Sequence, residues 1–243
     1  MKMFKRKFAA LLMFAISMPT FADSEGGLIL GLEAEKKINK RLDISMEADM
    51  RTRNNFKTMD RWGVGLGASY KLLNWLKADA GYKFLDYNFH ENITYKPNGL
   101  YNNWRPSYWG VRHRFNVMLT GSYKVQRVEL SLRERWQYTY RPSKMIDNFD
   151  FDEGEWEDHE VKGKGKNVLR SRLQLDWDIP KCKFDPYASV EFHTSKKLDK
   201  TRIIAGVNYA LKKKHNFKLY YRYQLTNGDP NIHMLGMGYS FKF

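Results

Sequence analysis

The chain has 243 residues, 42 of them basic and 27 acidic, for a formal net charge of +15, and it holds one cysteine. A lone cysteine, Cys182, excludes an internal disulfide framework. The absence of any later apolar run near the roughly 20 residues of a spanning helix excludes a helical membrane protein, but not a barrel, whose walls show lipid only alternate residues.

The opening residues, MKMFKRKFAALLMFAISMPTFA, have the layout of a secretory signal: a basic start at Lys2, Lys5, Arg6 and Lys7, a short apolar run, and a small-residue site at Thr20-Phe21-Ala22. Cleavage is expected before Asp23, which makes residues 1–22 a signal peptide and residues 23–243 a single barrel domain. A membrane anchor would need a longer run, and no cysteine follows to carry a lipid. Loss of four basic residues leaves 38 basic and 27 acidic ones, a net charge of +11. Export and the spread of these charges through strands, rather than along a helix, exclude nucleic acid as a partner.

Beyond the signal, apolar and polar residues alternate with a period of two, the signature of strands with two unlike faces. Segment one, residues 28–38, sets Leu28, Leu30, Leu32 and Ala34 against Gly31, Glu33 and Glu35. Residues 41–53 are the strictest case: Leu42, Ile44, Met46, Ala48 and Met50 alternate with Asp43, Ser45, Glu47, Asp49 and Arg51. Residues 61–71 place Trp62, Val64, Leu66, Ala68 and Tyr70 opposite Gly63, Gly65, Gly67 and Ser69. Residues 76–87 repeat the pattern, and a long loop over 88–107 carries the turn signal Pro97-Asn98-Gly99. Segments follow at 108–123 and 128–141, the second interrupted on its apolar face by Glu134. The longest loop is expected over 142–167. Segments at 168–179, 184–195, 201–211, 215–225 and 232–243 complete the chain, which ends on Phe243 in phase with the apolar face.

Short turns alternate with longer polar loops, and aromatic residues mark both ends of the apolar faces. Trp62, Trp109, Trp136, Tyr138 and Tyr223 lie near long loops; Tyr70, Trp177, Tyr209, Phe241 and Phe243 lie near turns or the C-terminus. A soluble β-sandwich would also alternate, but not with a consistently charged second face and two aromatic girdles. The expected fold is therefore all-β: an antiparallel up-and-down transmembrane barrel of 10–12 strands in the bacterial outer membrane, with short periplasmic turns and longer external loops. Eleven segments are readable, whereas single-chain bacterial barrels have even strand numbers.

The strand pattern and aromatic C-terminus, with YKFLDYNF, RFNVMLTGSYK, FDPYASVEF and LYYRYQL, resemble a domain-of-unknown-function family of small Gram-negative outer-membrane barrels. The resemblance covers most of the mature chain and implies fold and location. It implies no activity, cofactor or catalytic residue. Outer-membrane lipid and, during biogenesis, the assembly machinery that reads an aromatic C-terminus are the implied partners.

Three constellations invite function. Inward-phased Arg51, Arg53, Arg112, Arg114, Arg133, Arg135, Arg170, Arg172 and Arg222 are expected in the outer half of the lumen, with Asp43, Glu47, Asp79, Glu129, Asp176 and Asp178 lower. Arginine rings select anions in pores, which points to a small anionic solute; the same residues could instead close the lumen by pairing with carboxylates. An acidic external loop holds Asp147, Asp150, Asp152, Glu153, Glu155, Glu157, Asp158 and Glu160 without a Lys or Arg. It could bind a divalent cation, fold against the basic mouth, or remain solvated; its spacing is not that of an EF-hand, and no cofactor or metal site is expected. Lastly, His193 and Ser195 have the His-x-Ser spacing of outer-membrane lipid hydrolases, where His activates Ser. Lys196 stands where those enzymes often have Asn, and alternation turns both residues inward, so the expected reading is non-enzymatic: a narrow or plugged pore, with a hydrolase or a surface-binding barrel as alternatives.

Overall fold

A computed structural model describes residues 24–212, 214–228 and 230–243; the expected signal peptide lies outside them. The strands are β1 (Ser24–Lys37), β2 (Leu42–Arg53), β3 (Thr58–Lys71), β4 (Leu76–Phe89), β5 (Asn92–Tyr95), β6 (Tyr101–Arg105), β7 (Tyr108–Val125), β8 (Val128–Arg141), β9 (Lys144–Asp150), β10 (Glu155–Val161), β11 (Lys164–Trp177), β12 (Phe184–Thr194), β13 (Leu198–Leu211), β14 (His215–Thr226) and β15 (Asn231–Lys242). Among the described residues no helix interrupts them. Eleven close a barrel in the order β1-β15-β14-β13-β12-β11-β8-β7-β4-β3-β2.

Alternation sets the two faces and pairing aligns them. Ile44, Ala68, Ala80, Val117, Trp136 and Leu169 form one outward rung from β2 to β11. Leu32, Met46, Leu66, Val117, Leu173, Leu219 and Met237 stand exposed on this face, which no water-soluble sheet would leave bare at such extent. A 14-residue strand at 35–45° tilt spans roughly 35 Å along the barrel axis, enough for an apolar band about 25 Å tall.

The odd count of strands is accommodated at the seam. β1 pairs with β15 in parallel, from Ser24 opposite Asn231 to Glu35 opposite Lys242, while every other neighbouring pair in the barrel is antiparallel. The antiparallel up-and-down barrel holds at every neighbouring pair but this one, and the one parallel pair lets an odd barrel close. The start of β1 lies beyond its ladder with β2 and is held by side chains instead. Thr52 Oγ1 accepts from Leu28 N at 2.9 Å, Asn55 Oδ1 accepts from Gly26 N at 2.9 Å, and Glu25 Oε1 accepts from Asn54 N at 2.6 Å. Asn54 and Asn55 adopt positive φ (52° and 53°) in that loop, a conformation that asparagine tolerates better than most residues.

The two stretches expected to be irregular loops, 88–107 and 142–167, are also corrected. They build a second, four-stranded sheet in the order β10-β9-β6-β5, and β11 begins already at Lys164. Asp and Glu disfavour strands, but cross-strand aromatic pairs compensate. Phe149 lies opposite both Trp156 and Trp104, and rings at 5.1–5.4 Å run from Tyr95 through Tyr101, Phe151, Phe149 and Trp156 to Trp104. Gly154, at φ 70°, turns the β9–β10 hairpin, and Asp150 Oδ1 caps the turn by accepting from Asp152 N at 2.7 Å.

Candidate functional site: a lumen divided at an arginine waist

The inward faces enclose two chambers, one of about 740 Å³ toward the end bearing the external sheet and one of about 650 Å³ toward the tight turns. Arg51, Arg61, Arg114 and Arg170 line both, so they form the waist between them. Register brings these groups together. Arg51, Arg61 and Tyr87 are consecutive on one inward rung of β2, β3 and β4. Arg61 donates to the Tyr87 hydroxyl, to which Arg114 also donates at 3.0 Å, and Arg112 stacks on the Tyr87 ring at 4.2 Å.

Glycines make room for this crowd. Between Glu47 and Lys83, two inward rungs away, stands Gly65, and the ammonium reaches across it to Glu47 Oε1 at 2.9 Å. A Cβ at Gly65 would lie 3.0 Å from that oxygen. Asp49 gathers Lys83, Arg61 at 3.3 Å and Arg51 at 3.7 Å. Leu85, fully buried, occupies the space left by Gly63.

The opposite wall is organised by one carboxylate. Arg133, Arg172, Glu191, Arg202 and Gln224 form a single inward rung across β8, β11, β12, β13 and β14. Glu191 is 1% exposed. It accepts from Arg170 at 2.8 Å, Arg172 at 2.9 Å, Arg202 at 3.3 Å and Arg133 at 3.4 Å, and meets His193 Nε2 at 2.7 Å. Four guanidinium groups thus share one negative charge. The imbalance extends through the sheet-end chamber, whose lining includes thirteen Arg and Lys side chains and three acidic ones, Glu25, Asp60 and Asp199.

The arginines anticipated for the outer half divide between three levels. Arg53, Arg112 and Arg222 line only the sheet-end chamber, Arg51, Arg114 and Arg170 the waist, and Arg133, Arg135 and Arg172 only the turn-end chamber. Their expected confinement to the outer half is therefore corrected: successive inward residues step along the wall by roughly 6–7 Å, so the pairs Arg51/Arg53, Arg112/Arg114 and Arg170/Arg172 each spread over two levels, while Arg133 and Arg135 both line the turn-end chamber. Glu47 and Asp79 line the turn-end chamber. Asp43, Glu129 and Asp176 line neither chamber; Asp176 accepts from Gln174 at 2.8 Å. Asp178 lies past the end of β11, exposed and 3.6 Å from Lys124. Arg61, Arg202, Asp49 and Glu191 carry much of the site yet are not among the candidate residues that the sequence singles out, although each alternates in phase with the inward face of its strand.

The acidic segment forms the β9–β10 hairpin and does not fold onto the mouth: none of Asp147, Asp150, Asp152, Glu153, Glu155, Glu157, Asp158 and Glu160 lines the sheet-end chamber. Asp152 pairs with Lys96, and Glu157 accepts from Asn148 at 2.5 Å. Among the described residues, no group of three or more His, Cys, Asp and Glu is arranged to hold a metal ion. His193 and Ser195 are not brought together either. His193 Nε2 is engaged by Glu191 and lies 3.0 Å from Arg202, whereas Ser195 Oγ donates to Asp199 at 2.8 Å. The register shift at His193/Thr194 breaks the shared face that alternation implies. Cys182 is a free thiol in the turn before β12.

A family model described as a protein of unknown function, DUF2490, matches residues 27–234, and the chain belongs to that family. No curated protein matches it in sequence. Among solved structures, it is similar to the beta domain of the Bordetella autotransporter BrkA, with a TM-score of 0.58 at 15% identity over 83% of this chain and 82% of that one. It also aligns with the NanC porin, with a TM-score of 0.47 at 16% identity over 90% of this chain and 98% of that one. At such identities the likeness to the autotransporter domain is one of fold: the chain is a closed β-barrel of the outer-membrane kind.

Proposed function

We propose that this DUF2490 barrel lies in the bacterial outer membrane and acts there, without catalysis, as a narrow pore that favours small anions. The waist carries the reading. Four arginines stand where the two chambers meet, and the chamber beyond is lined by thirteen basic side chains against three acidic ones. A solute crossing there leaves bulk water beside fixed positive charge, which lowers the barrier for anions and raises it for cations. With tight turns in the periplasm and the external sheet at the cell surface, the basic chamber faces the medium.

Conductance in planar bilayers tests this. The expected result is a small conductance whose reversal potential, under a potassium chloride gradient, moves toward the chloride equilibrium value. A silent barrel, or one preferring potassium, overturns the reading.

The bilayer itself has a separate test. Glu134, on the outward face beside Leu119 and Leu132, accepts from Ser171 Oγ at 2.7 Å near the middle of β8 and β11. A carboxylate there faces hydrocarbon at a depth where charge is unfavourable. Glu134→Leu is expected to stabilise the barrel in lipid vesicles by about 1–2 kcal/mol, read as a higher urea midpoint. An unchanged or lower midpoint counts against a lipid-facing wall at that height.

A further inference from the structure

The charge in the lumen is uneven, and it is least compensated at one residue. Arg222, on β14, is 6% exposed and lines the sheet-end chamber. Its neighbours on the rung are Ile204 on β13 and Met234 on β15, and neither side chain carries a charge to offset its own. Its Nε is buried without a partner, and no hydrogen bond or ion pair joins the side chain to any described residue. The charges it feels most are those of Arg51 and Arg202, both of its own sign.

Nearby carboxylates are already committed. Glu191 serves four arginines and His193. Asp49 serves Lys83, Arg61 and Arg51, and Asp60 faces Arg53 at 3.7 Å. Arg51 also keeps a buried Nε that makes no hydrogen bond. A guanidinium holds its proton more tightly than any other basic side chain. A largely desolvated charge without a counter-ion is unfavourable, and an anion arriving from outside the chain would relieve it.

We infer that Arg222, with Arg51 and Arg202, forms a discrete binding site for an oxyanion in the sheet-end chamber. The ligand group would be a carboxylate, sulfate or phosphate carried by a small solute, since two or three oxygens on one centre match the donor fork of a guanidinium. The inference rests on the anion-favouring reading of the lumen and deepens it, turning a field into a site that saturates. Ile204 and Met234 supply an apolar floor that excludes water from one side of Arg222, which strengthens its hold on an anion. The chamber, at about 740 Å³, has room for an organic body behind the charged group.

The experiment uses the full barrel in detergent micelles, with inorganic sulfate as the probe and chloride at equal ionic strength as the reference. Sulfate should raise the wild-type melting temperature saturably. Arg222→Gln should weaken sulfate binding roughly tenfold or more, Arg222→Lys should weaken it less, and Lys57→Gln, in the β2–β3 loop, should leave it unchanged. Heat-modifiable migration on gels shows which variants have folded, and Arg222→Lys keeps the test decisive should Arg222→Gln fail to fold. Equal sulfate stabilisation of wild type and Arg222→Gln overturns the inference. So does a wild type indifferent to sulfate whose Arg222→Gln variant is simply more stable, since the arginine is then only a buried charge. Acetate and inorganic phosphate titrated in the same way separate the three candidate groups. Saturable sulfate binding by a silent barrel refutes the pore and supports the site; anion conductance without saturable block by sulfate supports the pore and refutes the site.

Discussion

Glu191→Gln is expected to destabilise the barrel by about 3–5 kcal/mol, the largest effect of any single conservative change in the lumen. The side chain keeps its volume, so packing alone predicts little. What disappears is the one negative charge that Arg133, Arg170, Arg172 and Arg202 share at 2.8–3.4 Å. An amide presents one acceptor oxygen to a site with donors converging on two, and its NH₂ group would meet further donors. Four mutually repelling guanidiniums then stand in a largely desolvated wall. Urea unfolding followed by tryptophan fluorescence should show a lower midpoint with an unchanged slope. Adding Arg202→Gln should restore part of the loss, since removing a cation relieves the repulsion that the first change exposed. A Glu191→Gln barrel that unfolds at the wild-type midpoint would mean that the arginines are kept apart by water rather than held by this carboxylate.

Gly236→Val is the second large expectation, and its cause is steric. Tyr220 lies on the rung between Gly206 and Gly236, and its ring rests on the latter. A Cβ at Gly236 would fall 2.0–2.4 Å from three ring carbons, closer than any packing allows. The ring must leave the wall and swing into the turn-end chamber that it lines. A cost of roughly 1–3 kcal/mol is expected, together with, on the proposed pore reading, a reduced single-channel conductance, because the displaced ring occupies the lumen. Tyr220→Ala should rescue both in the double variant, which separates this mechanism from a general weakening of β15. Wild-type stability and conductance in Gly236→Val would show that the ring finds another resting place at no cost.

Alternation made the wall legible. In β2, ten consecutive residues declare both faces, and β3, β8 and β11 do nearly as well, because lipid on one side and a polar lumen on the other impose opposite demands on neighbours. Eleven segments are readable in that pattern, and eleven strands close. The parallel seam was not legible, since alternation says which way a side chain points and nothing about which strand lies beside it. The external sheet hid for a different reason. Its strands are stabilised across the pair, by Phe149 against Trp156 and Trp104, while their local composition reads as an acidic loop. Within the lumen, phase placed the arginines on the inner face but not at a height. Glu191 was the least visible of all: one acidic residue among many in the sequence becomes central only when register sets Arg172 and Arg202 on either side of it.

The parallel seam also bears on how such a wall can be assembled. Strands joined across the sheet-bearing end can cross a bilayer as hairpins, carrying a closed loop through: β2 with β3, β4 with β7, β8 with β11, β12 with β13, and β14 with β15. Among the described residues, β1 has no such companion. It begins at the same end as β15 and runs beside it, so it joins the wall as a single strand and not as half of a hairpin. The side chains of Thr52, Asn55 and Glu25 then fasten its start. Closure therefore depends on a solitary strand meeting the last hairpin in the less stable of the two pairing geometries, and the kinetics of insertion should be most sensitive to changes along β1.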